Sequence, residues 1–191
     1  MDNDFRFVLK AGTQKQHDSV DALFSSFSLH QHREYARFLS LHARCFAVLL
    51  AHAGEACLTQ ALLAEMCAAL EDDLDSLGHT NPSGRAEGVG LSEPVDPLAI
   101  DYVVAGSRLG SQILKQRWAG AKDQNVRLAG TYLGLMHDPA LWRTVCGRLS
   151  EIKPDSPRAM HVMDDVCAIF DLFAANGRAE QIETETGVLA R

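Results

Sequence analysis

The chain lacks most of the features that would settle its class at once. Five cysteines among 191 residues is an odd number, and no two form a C-x-x-C pair. Cys45, Cys57, Cys67, Cys146 and Cys167 mostly stand beside apolar neighbours and read as reduced, small core residues of a cytoplasmic protein. Long apolar runs are missing: the longest, CFAVLLA at 45–51, is too short to span a bilayer. The opening MDNDFRFVLK has neither the basic start nor the apolar middle of a signal peptide. Positive charge is not in excess. A formal charge of −7 excludes a general nucleic-acid or anionic-membrane binder, which needs concentrated cations. There is no P-loop and no G-x-G-x-x-G, no glutamate followed by histidine at i+3 as in helical di-iron proteins, and no internal repeat. Strand signals are almost absent.

Helical signals are plentiful. Val20, Leu23, Phe24 and Phe27 recur with the i, i+3, i+4, i+7 spacing of one helix face. Tyr35, Phe38, Leu39, Phe46 and Leu49 make a second stripe, and Leu58, Leu62, Met66, Ala69, Leu70 and Leu77 a third, closed by Gly78 as a C-cap. Asp96-Pro97, Asp138-Pro139 and Ser156-Pro157 each pair a capping oxygen with a proline at the first helical position, where the missing N–H costs nothing. The last helix is expected to end near Asn176-Gly177, leaving 177–191 as a polar tail. Residues 125–137 fit a helix only loosely. The Gly/Pro/Ser-rich stretch 78–97 reads as a long crossover within one bundle, because neither half is large enough to bury its own stripes. The expectation is an all-α, single-domain multi-helix bundle over residues 1–176.

Two constellations carry chemical interest. On a helix, Lys10, His17 and Phe24 fall nearly on one line, since seven residues is close to two turns. Asp21 lies one turn beyond His17, where a carboxylate can orient an imidazole nitrogen. His17 is then either a border residue paired with Asp21 or a metal ligand with its supporting carboxylate. The second constellation is DYVVAGSRLGSQILKQRW at 101–118. Tyr102, Gly106, Gly110 and Leu114 share one face, and a mid-helix glycine costs about 1 kcal/mol relative to alanine. Bare backbone there admits either a closely packed neighbouring helix or a flat ligand. Arg108 points to the opposite side. His30-Gln31-His32 looks like a metal pair but lies in an inter-helix turn with no third ligand evident; it reads as surface. His42 and His52 read as packing or exposed residues of the second helix.

Together, LKAGTQKQHDSVDALF (9–24) and YVVAGSRLGSQIL (102–114) resemble the proximal and distal helices of bacterial heme oxygenases. REYARFLSLH (33–42), LEDDLDSLG (70–78) and LWRTVCGRL (141–149) follow in the order and spacing of that family, so the likeness extends over residues 6 to about 174. The resemblance implies a bundle of the heme oxygenase type, in which heme is both cofactor and substrate and is opened to biliverdin, carbon monoxide and ferrous iron. Dioxygen is consumed, with electrons from a ferredoxin- or flavin-type donor. It implies His17 as the proximal iron ligand, Asp21 as its hydrogen-bond acceptor, and Lys10 and Tyr102 at the propionates. Gly106 and Gly110, with Ser107 beside them, would bring the distal backbone onto the heme face, and Phe170, Phe173 and Phe46 would line the pocket. The product could feed a phytochrome-type biliverdin acceptor or serve iron release.

The chain departs from the mammalian branch in two places. Ser107 stands where that branch has an aspartate, and the last helix reads MDDVCAIFDLF (163–173) with acids where that branch has propionate-binding cations. Proton path and heme seating are therefore not carried over. Two other functions share the same bundle: a non-catalytic heme carrier or sensor, and a thiaminase-like enzyme with a nucleophile and acids facing the cavity.

Overall fold

The computed structural model describes residues 4–79, 91, 94–136 and 138–189, with side chains as far as residue 179. Eight helices and no strand occur among them: α1 (Phe5–Ser26), α2 (His32–His52), α3 (Gln60–Ser76), α4 (Pro97–Ala119), α5 (Gln124–Leu128), α6 (Thr131–Gly134), α7 (Pro139–Ser150) and α8 (Pro157–Leu189). The architecture is an all-α single-domain bundle, and none of the described helices is long and apolar enough to cross a membrane. Most of the crossover, residues 80–90 and 92–93, lies outside the described residues.

The three proline-started helices begin where the sequence places them. Asp96 accepts from Leu98 N, Asp138 from Ala140 N and Ser156 Oγ from Ala159 N. Gly78 ends α3 at φ +71°, with His79 N donating back to Leu74 O at 2.9 Å, the six-to-one bond of a glycine-terminated helix. The ambiguous stretch after residue 124 resolves into the two short helices α5 and α6. The expectation for Gly177 was wrong. It lies within α8, which runs on to Leu189, and a Cβ at this position would overlap the Leu23 side chain. The glycine is there to bring α8 against α1, not to stop the helix. All five cysteines are free.

Contacts between α1 and α8 pair Gly12 with Met163, His17 with Phe170 and Leu23 with Gly177, so these helices run parallel. The core beneath them is a cluster of rings around His42, which is 4% exposed. Its ring centroid lies 4.1 Å from Phe38, 4.6 Å from Phe24, 5.7 Å from Phe46, 5.8 Å from Tyr132 and 5.9 Å from Phe173. His42 Nδ1 is 2.8 Å from Phe38 O, and burial lowers its pKa to about 4. It is a packed, neutral imidazole.

Among the described residues, the buried charged ones are Asp73, Asp101, Arg108 and Asp165, and all of them reach the ends of other elements. Asp101 of α4 accepts from Leu58 N, Thr59 N, Thr59 Oγ1 and Cys57 Sγ at 2.8–3.1 Å, closing the N-terminus of α3. Asp73 of α3 accepts from Thr131 N and Tyr132 N at the start of α6. Asp165 of α8 accepts from Asp96 N, at 2.7 Å, ahead of α4. Arg108 of α4 donates to Leu135 O at 2.9 Å and, more weakly, to Tyr132 O at 3.4 Å, at the end of α6. Anions thus meet helix N-termini and the cation meets a C-terminus, as unsatisfied end groups and the helix dipole both require.

Removing Asp101 leaves four donors without their acceptor, so Asp101→Ala is expected to cost about 3 kcal/mol of stability. Asp138→Ala, which deletes an exposed local cap, should cost about 1 kcal/mol; urea denaturation of the two variants measures the difference. His42 supplies a pH test. Its folded pKa lies below its unfolded value near 6.5, so the unfolded chain binds the proton first. Stability is then full above pH 6.5 and falls by up to about 3 kcal/mol as pH drops to 4. Asp73, raised by burial, changes in the opposite sense. The His42 contribution is therefore read as the part of the decline that disappears in His42→Phe.

Candidate functional site

His17 sits on α1 with half its side chain exposed, its Nδ1 3.2 Å from Asp21 Oδ2. Asp18 is farther, at 3.9 Å, and is held by Gln14 Nε2 at 2.6 Å. Asp21 is therefore the partner of the ring. A carboxylate on Nδ1 favours the Nδ1–H tautomer and leaves the lone pair on Nε2, the arrangement a metal-binding imidazole requires. Phe170 of α8 meets the ring edge-on at 5.6 Å and fixes its other side. The i+4 spacing put Asp21 within reach of the ring but left open whether the two touch, which the 3.2 Å distance answers; the Phe170 contact depends on how α8 lies along α1.

The relation of α1 to α4 follows from two ties. At one level the Tyr102 side chain faces that of Thr13. At the other, Arg117 donates to Phe24 O at 3.3 Å, to Ser25 O at 3.0 Å and to Phe27 O, the last tie joining residues 90 apart in the chain. The two helices are thus parallel, and an offset near 90 brings His17 level with Gly106 and Asp21 just past Gly110. From Thr13 to Phe24 α1 rises about 17 Å. Along that stretch α1 and α4 do not pack on each other; α7 and α8 contact both. The result is a seam closed at its ends and open between them.

The glycine face of α4 borders this seam. No atom of the described chain lies within 4 Å of where a Gly110 Cβ would be, and at Gly106 only the Trp142 ring approaches, at 3.6 Å, an ordinary contact. Of the two explanations the sequence left open, close helix packing therefore fails at Gly110, while at Gly106 the Trp142 ring of α7 supplies an ordinary neighbour. Ile113, two turns beyond Gly106 on the same line, is 65% exposed, and Leu109 beside it is 48% exposed. The α4 side of the seam is therefore bare backbone flanked by uncovered aliphatic side chains.

The other sequence candidates divide. Lys10 is exposed two turns before His17. Tyr102 is half-buried, faces Thr13 and packs 5.7 Å from Trp142; burial raises its pKa. Ser107 Oγ donates to Val104 O of its own helix at 2.8 Å. Phe170 touches His17. Phe173 and Phe46 pack on each other at 5.3 Å within the His42 cluster, under Phe24 rather than beside His17. Arg108 points away from the glycine face, as its position on the helix required. Among the described residues no group of three possible metal ligands occurs, and the ring of His32 lies 5.6 Å from that of His79. Sequence reasoning missed Trp142, Arg117 and Ile113. Only Ile113 had a local signal, its seven-residue spacing from Gly106.

A pocket of about 380 Å³ lies at the N-terminal end of α4, lined by Asp101, Arg148, Glu151 and Arg158 among others. It includes none of the candidate residues. Its charged walls are already occupied in part, Asp101 by the α3 terminus and Arg158 by Asp96 at 3.0 Å, and it offers no free ligand atom comparable to His17 Nε2.

Gly110 lacks any neighbour that would explain it, so Gly110→Ala should raise stability by about 1 kcal/mol. Gly177→Ala should lower it, because the new methyl collides with Leu23. Urea midpoints of both variants test whether the two glycines serve different purposes.

No family model matches the chain, and no curated protein matches it.

Proposed function

We propose that the chain binds heme in the seam between α1 and α4 and opens it oxidatively to biliverdin, carbon monoxide and ferrous iron, using dioxygen and external electrons. The observation that carries this reading is the pairing of His17, whose Nε2 is free and whose Nδ1 is held by Asp21, with a glycine face at the same level that, among the described residues, meets the Trp142 ring at Gly106 and nothing at Gly110. The donor set suits heme iron: one neutral imidazole with a hydrogen-bonded carboxylate behind it. The opposite wall suits a flat apolar group: Gly106 and Gly110 leave room for it, and Ile113 and Leu109 offer it aliphatic surface.

Heme, when bound, supplies both the iron that activates dioxygen and the carbon that is oxidised. The protein's share is ligation, orientation and exclusion of water. His17 would ligate through Nε2, with Asp21 fixing the ring plane and raising its basicity. Lys10 would pair with a propionate, a cation beside a carboxylate at the seam's end. Gly106 and Gly110 would let the α4 backbone approach the heme face and dictate which edge is reached. Electrons would come from a ferredoxin- or flavin-type donor, and biliverdin would pass to an acceptor such as a phytochrome or leave after iron release.

One observation favours the carrier or sensor reading instead. The Ser107 hydroxyl is committed to Val104 O, so α4 itself brings no free proton donor to the seam. The thiaminase-like reading is weakened by the cysteines, since burial raises the pKa of Cys45 to about 12 and of Cys57 and Cys67 to about 11, the opposite of nucleophile activation.

Hemin titration separates these. The wild type should develop a Soret band that His17→Ala weakens and shifts. Gly110→Leu should block binding while far-ultraviolet dichroism remains helical. Aerobic incubation with a reductant should replace the Soret band with a biliverdin spectrum. A stable heme spectrum would indicate a carrier, and an absent Soret band in the wild type would refute heme binding altogether.

A further inference from the structure

Helix α7 closes one half of the seam, and its first turn marks where that closure stops. Two contacts show that α7 runs antiparallel to α4. At its start Trp142 meets Gly106 and packs 5.7 Å from Tyr102. Near its end Arg148 lines the same pocket as Leu98. Ser150 Oγ, at the last position of α7, donates to Asp4 Oδ2 at 2.9 Å, just ahead of α1. So α7 lies along the N-terminal halves of both helices and reaches the level of Gly106. It does not reach Gly110, whose Cβ position has no neighbour. Past that level Leu109, Gly110 and Ile113 are exposed.

The Trp142 ring is turned so that Cζ3 and Cη2 make the contact, 3.6 and 3.8 Å from the Cβ position of Gly106. Both atoms belong to the benzene edge, and Nε1 lies toward the other end of the indole. The edge offered to the seam is apolar. It does not explain Gly106, because 3.6 Å is an ordinary carbon–carbon distance at which a methyl group fits. The ring is backed by Tyr102, and the turn that carries it is fixed by the Asp138 cap. A part-buried aromatic ring, supported from behind and apolar along one edge, suits contact with the rim of another π system.

The open part of α4 runs from Gly106 to Arg117, about 16 Å of helix. Trp142 stands at one end and the Arg117 tie at the other. Resting on the heme reading, we propose that Trp142 is a positioning residue: its benzene edge is the stop against which one rim of the heme lies. A flat group ligated by His17, level with Gly106, then extends toward Gly110 and Ile113, because toward Tyr102 the ring is already in place. By fixing how the heme is rotated, Trp142 selects which edge faces the α4 backbone.

The chain has two tryptophans, and Trp118 is set apart. Its Nε1 donates to Val126 O at 2.7 Å, and its ring covers Gly130. The full chain labelled with 5-fluorotryptophan gives one fluorine resonance for each, assigned with Trp118→Phe. Hemin should broaden and displace the Trp142 resonance strongly and the Trp118 resonance far less. Equal effects on the two, or none on Trp142 while a Soret band forms, overturn the proposal without any change at position 142. A second arm reads the seating by proton NMR of the ferric cyanide complex. Wild type should show one main set of heme methyl resonances. Trp142→Ala should keep the Soret band but give several sets, and Trp142→Phe, which restores a ring edge, should return to one main set. A single, unmoved set in Trp142→Ala overturns the proposal; should that variant fail to fold, the fluorine arm decides alone. The Soret band separates this proposal from the reading beneath it. Its absence in wild type refutes both, whereas a Soret band without these responses refutes the role of Trp142 alone.

Discussion

The fold depends on charged side chains that close the ends of helices to which they do not belong. A helix leaves unsatisfied N–H groups at its start and carbonyls at its end, and in a bundle of short connections many of these ends are buried. Here α4 supplies three of the closures. Asp101 serves the start of α3, Arg108 the end of α6, and Arg117 the end of α1. The signs match the ends they meet, so each contact combines a hydrogen bond with a favourable field. Burying these charges would be costly without partners, and only native helix placement supplies the partners. The ties therefore fix geometry as much as they add stability.

That arrangement explains why one face of α4 can be left without a protein neighbour. Asp101 and Arg108 lie on the side of α4 opposite Gly106, seven residues apart and so nearly in line. They hold the helix from behind. Arg117 holds it from the front at one end of the seam, and Tyr102 faces Thr13 at the other. Between those ends nothing of α1 needs to touch α4, and nothing does over most of the length. A glycine face with exposed Ile113 and Leu109 would be a poor surface on a helix held only by apolar packing. On a helix pinned by Asp101, Arg108 and Arg117 it can be left uncovered.

What could be read in the sequence follows the range of each interaction. The Asp-Pro and Ser-Pro starts and the Gly78 stop are contacts within a turn and were legible; the spacing put Asp21 within reach of His17 but did not decide whether they touch. The remote caps were not, because Asp101 and Thr59 are 42 residues apart and Arg117 and Phe27 are 90 apart; nothing local marks Asp101 as a cap rather than a surface acid. Arg108 could be placed off the glycine face but not recognised as buried. Gly177 failed for the same reason in reverse. An Asn-Gly pair after an apolar stripe is a sound local stop signal, but a helix that must pass close to Leu23 needs glycine too, and only the position of α1 distinguishes the two. The glycine face posed a similar ambiguity, since its pattern says that something approaches the backbone without saying what. Finding no protein atom near Gly110 removes the packing explanation.

The open seam also has a consequence for how ligand binding and folding are linked. Helices α1 and α4 are joined at one end through the Arg117 guanidinium, lie near each other at the other where Tyr102 faces Thr13, and are linked along the middle only indirectly through α7 and α8. A ligand ligated by His17 on one side and seated on Gly106 and Gly110 on the other would add the missing cross-link where the protein has none. Such a ligand binds only the native register, because an unfolded chain does not bring positions 17 and 106 level. At 100 times its dissociation constant it would stabilise the chain by about 2.7 kcal/mol, comparable with the loss expected from deleting one remote cap. The protein without ligand is then held by its caps, and the protein with ligand by its caps and its seam together. The Asp21 hold on His17 gains a second purpose in this light. By fixing the ring before a ligand arrives, it lowers the entropy cost of closing the seam, so the exposed helix face and the pre-set imidazole are two parts of one arrangement.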